Sequence, residues 1–349
     1  MRFSFDLREL GGASTLTLLS PKAISLFQRA RVICGSTIVD DVDYVGRVVT
    51  MLDRLKPANR AQNEMIMNGG GVNTSLQSAS GTLKPITASG ARTFVCDLSF
   101  LGLFNQHKWI PCGLMGSLVI ELELNSDVAY ATIGSTDWCI ENPVIFANDK
   151  ILDSALQSKY VEHVMSGKNL PIVTSCLANT LHIVPSATFT VALARGFSRL
   201  NAIILTLHNA NDAGTKQIND FHHPAGGAAP IGFTADSVKL QVQIGAKKMP
   251  EYEISSVAEF YYRLQEVVGV LTGESAMNID SRQYHSTAFI AGINMEKLSG
   301  SGADYSGINS KEQLLTASWK GCGAASQCYI TLVYQSIINV KSGGVELLD

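Results

Sequence analysis

An adjacent histidine pair, His222 and His223, lies beside Asp220 and is the first place in the sequence to look for a metal site. Imidazole nitrogens are common ligands of zinc and other transition metals. Neighbouring residues on a strand or loop point apart, however, so one ion rarely takes both side chains. No spaced histidine or cysteine supplies further ligands nearby, and a turn before Pro224 explains the pair more simply. His222 and His223 remain metal candidates only, and we assign no cofactor.

Phosphate binding by a Gly-x4-Gly-Lys-Ser/Thr loop would place the phosphates on backbone N–H groups. The segment 166–169 contains Gly167 and Lys168 but lacks the upstream glycine and the hydroxyl. A helix C-cap explains Gly167 better. The glycine-rich segments 68–71, 224–227 and 300–302 lack the required strand–loop–helix context, so we interpret them as flexible loops.

Two carboxylates, Glu121 and Glu123, could be imagined as the acid pair of a glycoside hydrolase. They face out of a predicted strand, where a salt-bridged or solvated edge explains them, and nothing selects them over Glu251 and Glu253. The sequence has no Gly-x-Ser-x-Gly elbow and no protease signature around a cysteine. We therefore assign no catalytic residue and predict that the protein is not an enzyme.

The cysteines are seven in number, widely spaced and without a Cys-x-x-Cys pair. This pattern predicts reduced core thiols in a cytosolic or nuclear compartment rather than a disulfide scaffold. Residues 1–6 show no secretory signal, and the longest apolar runs fall far short of the ~20 residues that span a bilayer. We expect a soluble protein.

Nucleic-acid binding has no visible source in the charge pattern. The net charge is −3, and the basic clusters, which we interpret as solvated faces, are small: Arg29 with Arg31, Arg54 with Lys56 and Arg60, and Lys247 with Lys248. The tryptophans and the aromatic run 260–262 lie among aliphatic residues, which favours core packing over base stacking. No sequence-specific nucleic-acid partner is predicted.

The elements that must position these residues are mostly strands. In residues 237–245, Val238, Leu240, Val242 and Ile244 alternate with polar residues, and residues 117–124 repeat the pattern. Further strands are predicted at 92–98, 188–194, 200–208, 286–293, 313–320 and 328–340. Three helices are predicted, at 41–55, 153–166 and 256–271, from apolar residues recurring every three or four positions. Many strands with a few inserted helices indicate an all-β sandwich protein.

The 349 residues fit one large domain or two ordinary ones, and the composition is 46% apolar but only 16% charged. Sliding residues 44–55 onto 260–271, an offset of 216, pairs Arg47 with Arg263 and aligns the apolar stripes. An apolar strand ending in glycine precedes each helix. We interpret this as duplication of one sandwich: an N-terminal domain at 1–152, a helical junction at 153–170 and a C-terminal domain at 171–349.

The order of elements resembles the double jelly-roll major capsid proteins of tailless icosahedral DNA viruses, the adenovirus and Polinton-like lineage. The resemblance is carried by residues 27–34 with 38–44, 108–112 with 116–124, 152–156 with 166–171, 195–200, and 243–247 with 250–256. One departure is that the second half has about 80 residues before its helix and the first only 40. A complete first jelly roll should have another strand or two upstream. The first roll is trimmed, the chain belongs to a longer protein, or the halves are not equivalent.

The resemblance implies two tandem antiparallel jelly-roll sandwiches and a structural role. The protein would be a capsid building block, a homotrimer whose six jelly rolls form a pseudo-hexagonal capsomer in an icosahedral shell. Its partners would be itself, neighbouring capsomers and minor capsid or penton proteins, with an internal membrane left open. It would be located in the virion after synthesis in the host cytoplasm or nucleus. Low charge and high apolar content fit large subunit contacts.

Two alternatives remain open at this stage. A carbohydrate-binding sandwich or spike protein would need exposed aromatics beside Asp or Asn on one loop face, where Trp109 and His107 are the candidates. A glycan-active enzyme would need two convergent carboxylates, which the sequence does not identify.

Overall fold

Alternating apolar residues produce antiparallel strands throughout the chain. The computed structural model describes residues 1–12, 15–18, 22–67, 85–106, 108–125, 132–134, 137–208, 221–224, 238–272, 277–279, 281–285, 288–296 and 307–349. The strands are β1 (Arg2–Glu9), β2 (Leu16–Leu18), β3 (Phe27–Cys34), β4 (Thr37–Asp43), β5 (Ala91–Asp97), β6 (Leu118–Leu124), β7 (Thr132–Gly134), β8 (Trp138–Phe146), β9 (Leu170–Ile183), β10 (Phe189–Leu193), β11 (Leu200–His208), β12 (Lys239–Ile244), β13 (Lys247–Ile254), β14 (Ala291–Asn294), β15 (Leu315–Lys320), β16 (Gln327–Lys341) and β17 (Gly344–Leu348).

The helices are fewer and mostly short. Among the described residues they are α1 (Val45–Arg54), α2 (Ala58–Met67), α3 (Gly102–Asn105), α4 (Cys112–Met115), α5 (Ser154–Met165), α6 (Val257–Thr272) and α7 (Ser281–Tyr284), with a 3₁₀ turn at Ala23–Leu26. In the part of the chain that the structure describes, no helix is long and apolar enough to cross a membrane.

The second half of the chain forms a sandwich of one five-stranded and one four-stranded sheet. One sheet has the order β14-β11-β16-β9, and the other has the order β10-β15-β12-β13. The central strand β16 pairs with β9 along Leu170–Ile183, while β11 and then β17 share its other edge. The predicted strands at 200–208, 313–320 and 328–340 correspond to β11, β15 and β16. The strand predicted at 286–293 is shorter and later, at Ala291–Asn294.

The first half repeats this arrangement with fewer strands. Its sheets have the orders β5-β1-β8 and β4-β3-β6, with a small additional pair β2-β7. Phe3, Phe5 and Leu7 on β1 face Ala30 and Val32 on β3 across a buried core. The all-β sandwich prediction is therefore confirmed for both halves.

The same hairpin-and-helix unit occurs once in each half. Strands β3 and β4 lead into α1, and β12 and β13 lead into α6. Gly35 and Gly245 form the hairpin turns with φ of +62° and +56°, a region that favours glycine. These glycines correspond at an offset of 210, and the helix starts Val45 and Val257 at 212. The predicted offset of 216 exceeds the 212 between the helix starts by four residues, about one helical turn. A shift of one turn keeps the apolar residues on the same helix face, so helical periodicity alone could not reveal the error.

The predicted helix at 41–55 begins later than expected. Asp41 and Asp43 belong to β4, and their carboxylates lie 2.6 and 3.2 Å from the guanidinium of Arg29 on β3. Tyr44, at φ +54°, separates the strand from α1. The acidic residues that suggested a helix start are therefore cross-strand ion-pair partners, which explains why the prediction was wrong for the four positions 41–44.

Helix α1 joins the two halves through a buried cation. The Arg47 guanidinium donates to Thr206 Oγ1 at 3.0 Å and to the Leu207 carbonyl at 3.2 Å on β11. It also lies 4.6 Å from the Phe221 ring centroid and 4.2 Å from that of Tyr329. Buried apolar residues of both halves form one continuous core around this contact.

A second basic residue of α1, Arg54, is also buried. We predicted a solvated face for Arg54, but its side chain is buried and its guanidinium lies 4.7 Å from the Phe221 centroid. Aromatic faces attract a guanidinium and allow it to be desolvated. The remainder of that basic cluster forms ion pairs, since Lys56 lies 3.1 Å from Glu64.

The two halves also meet where α3 approaches β9. The Gly102 amide donates to the buried Asp40 carboxylate of β4. A Cβ atom on Gly102 would lie 2.4 Å from the Ser175 carbonyl oxygen and 2.8 Å from Cys176 Sγ. Only glycine allows this close approach of α3 to β9.

Replacing Gly102 with alanine is expected to destabilise the protein by roughly 1–3 kcal/mol, because the backbone of β9 must move to admit the methyl group. The matched control is Gly113→Ala in α4, where nothing lies within 4 Å of the new Cβ. Denaturant unfolding followed by circular dichroism measures both. Equal stability of the two variants would contradict the predicted steric contact.

Burial raises the pKa of the Asp40 carboxyl to about 7, from an ordinary value of 3.8. Between these pH values the folded state retains a proton that the unfolded state releases, so this residue makes the protein less stable as pH rises from about 4 to about 7. We expect Asp40→Asn to remove this component. The test is to measure the unfolding free energy from pH 4 to pH 7 for the wild type, for Asp40→Asn and for the surface control Asp149→Asn. A wild type and Asp40→Asn pair with parallel pH profiles would exclude the assignment.

Candidate functional site

The two metal candidates occupy the protein interior. His222 and His223 are both buried, and the His223 ring packs edge-to-face on Phe289 with 4.7 Å between centroids. Burial, with a smaller contribution from His285, lowers the pKa of His223 to about 4, so its imidazole is neutral at pH 7. Within the described residues, no group of three His, Cys, Asp or Glu side chains could hold a metal ion. The pair therefore packs in the core, and Asp220 lies outside the described residues.

The candidate carboxylates Glu121 and Glu123 lie on a sheet face, opposite arginine side chains. Glu121 and Glu123 stand opposite Arg31 and Arg29 in the β3–β6 ladder, and Arg31 donates to Glu121 at 2.6 Å. Glu253 pairs with Lys320 in the second half. Ion pairs neutralise Glu121 and Glu253 instead of directing them towards a shared substrate position.

The remaining sequence candidates are scattered. Gly167 has φ +80° and follows the last turn of α5, as expected for a C-cap. All seven cysteines are free thiols; five are buried, and burial raises the pKa of Cys96 to about 12. His107 and the glycine-rich segments 68–71 and 300–302 lie outside the described residues, as does 224–227 after Pro224.

The most prominent surface feature is apolar. Helix α5 matches the helix predicted at 153–166, and the Asp153 carboxylate caps it by accepting from the Ala155 amide at 3.2 Å. Its predicted apolar stripe does not pack inward, however: Leu156 and Tyr160 are exposed, and only Val164 is buried. The stripe was recognised correctly as a pattern, but the residues that the structure describes leave Leu156 and Tyr160 exposed.

The exposed apolar residues continue on both sides of this stripe. On α5 they also include Met165, which is 73% exposed; before the helix they are Val144, Ile145, Phe146, Ile151 and Leu152, with Ile151 96% exposed. Trp109 joins them through Lys150, whose Nζ lies 4.6 Å from its ring centroid. We call residues 144–165 together with Trp109 the apolar surface.

This arrangement favours association rather than catalysis. A monomeric protein rarely leaves so many large apolar side chains exposed side by side along the chain, whereas subunit interfaces bury them. Sequence reasoning missed the surface because it assigned each apolar run to a core. The available signal was the run 143–152, which holds five large apolar residues: Val144, Ile145 and Phe146 at the end of β8, and Ile151 and Leu152 between β8 and α5.

Searches against known protein families found no matching family model. No curated protein matches the sequence either. Sequence comparison therefore places the chain in no family.

Solved structures do resemble it over nearly its whole length. The quasi-atomic model of the PBCV-1 virus capsid matches with a TM-score of 0.62 and 12% identity, covering 99% of this chain and 89% of the other. The Sputnik virophage structure matches with a TM-score of 0.57 and 11% identity, covering 99% of this chain and 81% of the other. The Faustovirus major capsid protein matches with a TM-score of 0.56 and 10% identity, covering 94% of this chain and 74% of the other. Together with two sandwiches of matching sheet order, these likenesses show that the chain has the double jelly-roll fold of viral major capsid proteins.

Proposed function

We propose that the protein is the structural building block of an icosahedral viral capsid and acts as a homotrimeric capsomer. The observation that carries this proposal is the apolar surface, which the isolated chain leaves in water. A subunit contact would bury it, and stable contacts of this kind cover on the order of 1,600 Å² in total. The double jelly-roll fold, shared with capsid proteins, supports the same conclusion.

The proposal extends to organisation and partners. The first sandwich would comprise residues 1–152, the helical junction 153–170 and the second sandwich 171–349. Three copies would bring six sandwiches into a pseudo-hexagonal unit that contacts neighbouring capsomers and minor capsid or penton proteins. The protein would reside in the virion after synthesis in the host cytoplasm or nucleus, and it would have no enzymatic activity.

Carbohydrate binding is less well supported. A sugar platform needs an open aromatic face, and the Trp109 ring has the Lys150 cation over it. Tyr252 and Tyr262, which are also exposed, lie in the second half, and Arg263 donates to the Tyr252 hydroxyl. The paired carboxylates described above likewise give no support to glycoside hydrolysis.

Light scattering on the purified protein is expected to give the mass of three chains, and negative-stain microscopy is expected to show hexagonal particles. The double variant Ile151→Asp/Tyr160→Asp should shift the mass towards one chain, because two charges would be buried at the contact. Its unfolding midpoint should be retained, since both side chains are exposed in the single chain.

The matched control is Tyr262→Asp, an equally drastic change at an exposed aromatic of α6. It should leave the mass unchanged. A wild-type protein that stays monomeric at all concentrations and binds sugars would refute the capsid assignment.

A further inference from the structure

Because the hairpin-and-helix unit occurs twice, one surface can be compared at equivalent positions in the two halves. Sheets β4-β3-β6 and β13-β12-β15-β10 each contain that hairpin with its glycine turn. Cys34 and Ile244 immediately precede the two glycines, and they pair with Leu118 on β6 and Leu315 on β15. These pairs fix the register between the sheets. Each residue on the outer face of the first sheet, which points away from its own core, therefore has a defined counterpart on the second.

The equivalent outer residues carry opposite charges. Further along the two ladders, Arg29 lies opposite Glu123 on the first sheet, and Lys239 lies opposite Lys320 on the second. Glu123 and Lys320 therefore occupy the same place in the two sandwiches. Like charges directly opposite one another in a ladder are destabilising. The stability of the second sheet alone does not explain why Lys239 stands opposite Lys320.

On the first sheet, three carboxylates surround one guanidinium. Arg29 lies 2.6 Å from Asp41 and 3.2 Å from Asp43 across the hairpin, and Glu123 stands opposite it on β6. Burial raises the pKa of Asp43; Arg29 opposes this rise, and the Asp41 and Glu123 carboxylates add to it. We call the charged side chains that β3, β4 and β6 leave accessible to solvent the acidic face: Arg29, Arg31, Asp41, Asp43, Glu121 and Glu123. Two arginines and four carboxylates give this face a net charge of −2.

On the second sheet, three lysines surround one carboxylate. Lys320 of β15 forms an ion pair with Glu253 of β13. The hydrogen bond from Lys320 lowers the pKa of Glu253, and the nearby charges of Lys239 and Lys248 lower it further. We call the charged side chains of β12, β13 and β15 the basic face: Lys239, Lys247, Lys248, Glu251, Glu253 and Lys320. Four lysines and two glutamates give this face a net charge of +2.

Neither face is neutralised within the chain. Among the described residues, Glu123 on the acidic face and Lys239 and Lys248 on the basic face form no ion pair. The exposed apolar residues Ile38 and Val119 adjoin the acidic face on the same sheet. Interfaces combine apolar area with a charged rim, and complementary potentials select the partner. The two faces therefore have the properties of a pair of contact surfaces.

We propose that the acidic face of one copy of the chain binds the basic face of a second copy. The carboxylates around Arg29 would meet the lysines around Glu253, and the net charges of −2 and +2 would cancel. Such a contact is head-to-tail, so each copy keeps one face of each sign for further copies. The inference rests on the proposed function in one respect, that the chain self-associates. It adds a contact that shares no residue with the apolar surface.

Two double variants of the full chain each reverse one face. Glu121→Lys/Glu123→Lys changes the acidic face from −2 to +2, and Lys239→Glu/Lys248→Glu changes the basic face from +2 to −2. Sedimentation velocity measures how far each protein associates beyond its smallest species as concentration rises. Each variant should associate at least about tenfold more weakly than the wild type, because like charges then face each other. Raising the salt from ~0.05 M to ~0.5 M should weaken the wild-type association, since salt screens exposed charges.

Mixing the two double variants in equal amounts should restore association, because the reversed face of each then meets an oppositely charged face of the other. A single chain with all four substitutions should associate like the wild type, since its two faces have exchanged sign and its net charge is unchanged. Glu266→Lys and Lys311→Glu are matched controls that reverse an exposed charge outside both faces, and they should leave association unchanged. Unfolding midpoints check that every variant folds.

Folded double variants that associate like the wild type would overturn the proposal. So would a loss of association when only one of the two faces is reversed, because the faces would then have different partners. Failure of the mixture and of the four-substitution chain to recover association would also overturn it. The smallest species reports the proposed trimer separately, because all these variants leave the apolar surface intact.

Discussion

The two sandwiches depend on a buried positive charge at their junction. Removing a guanidinium from water is costly, and Arg47 offsets that cost with hydrogen bonds to β11 and with the faces of Phe221 and Tyr329. These partners come from three separate segments of the second half, so the helix that carries Arg47 can dock in only one way. The hairpin that precedes α1 is fixed with it, and the continuous core then follows from packing around this contact.

The two sandwiches differ in how completely their cores are covered. In the second sandwich, β15 and β16 each have a neighbouring strand on both edges, and their core-facing side chains are buried. In the first sandwich, core-facing side chains of β6 and β8 reach solvent, and the chain continues from β8 into an exposed apolar segment and an exposed helix.

Much of the fold could be predicted from the sequence, because alternation and helical periodicity report local burial. The strand at 237–245 was predicted with its correct inner face, since Val238, Leu240, Val242 and Ile244 are all buried. The failures occurred where one pattern has two physical meanings. Asp41 and Asp43 were consistent with a helix start and with cross-strand pairing, and the stripe of α5 was consistent with a core and with an interface. Arg54 is buried against the ring of Phe221, more than 150 positions away, which no local pattern can reveal. His223 packs in the core for the same reason, by contact with distant Phe289.

The long ladder between β9 and β16 has a consequence for synthesis on the ribosome. Ile183 pairs with Gln327 and Leu170 with Val340, so β9 emerges roughly 150 residues before its partner, and such long-range pairing is slow to form. Until β16 appears, the second sandwich lacks the strand that both β9 and β11 require. Folding of that half must therefore wait for almost the whole chain. A ribosome that stalls after β15 would release a polypeptide in which β9 is unpaired and one edge of β11 is open, a target for chaperones or proteases.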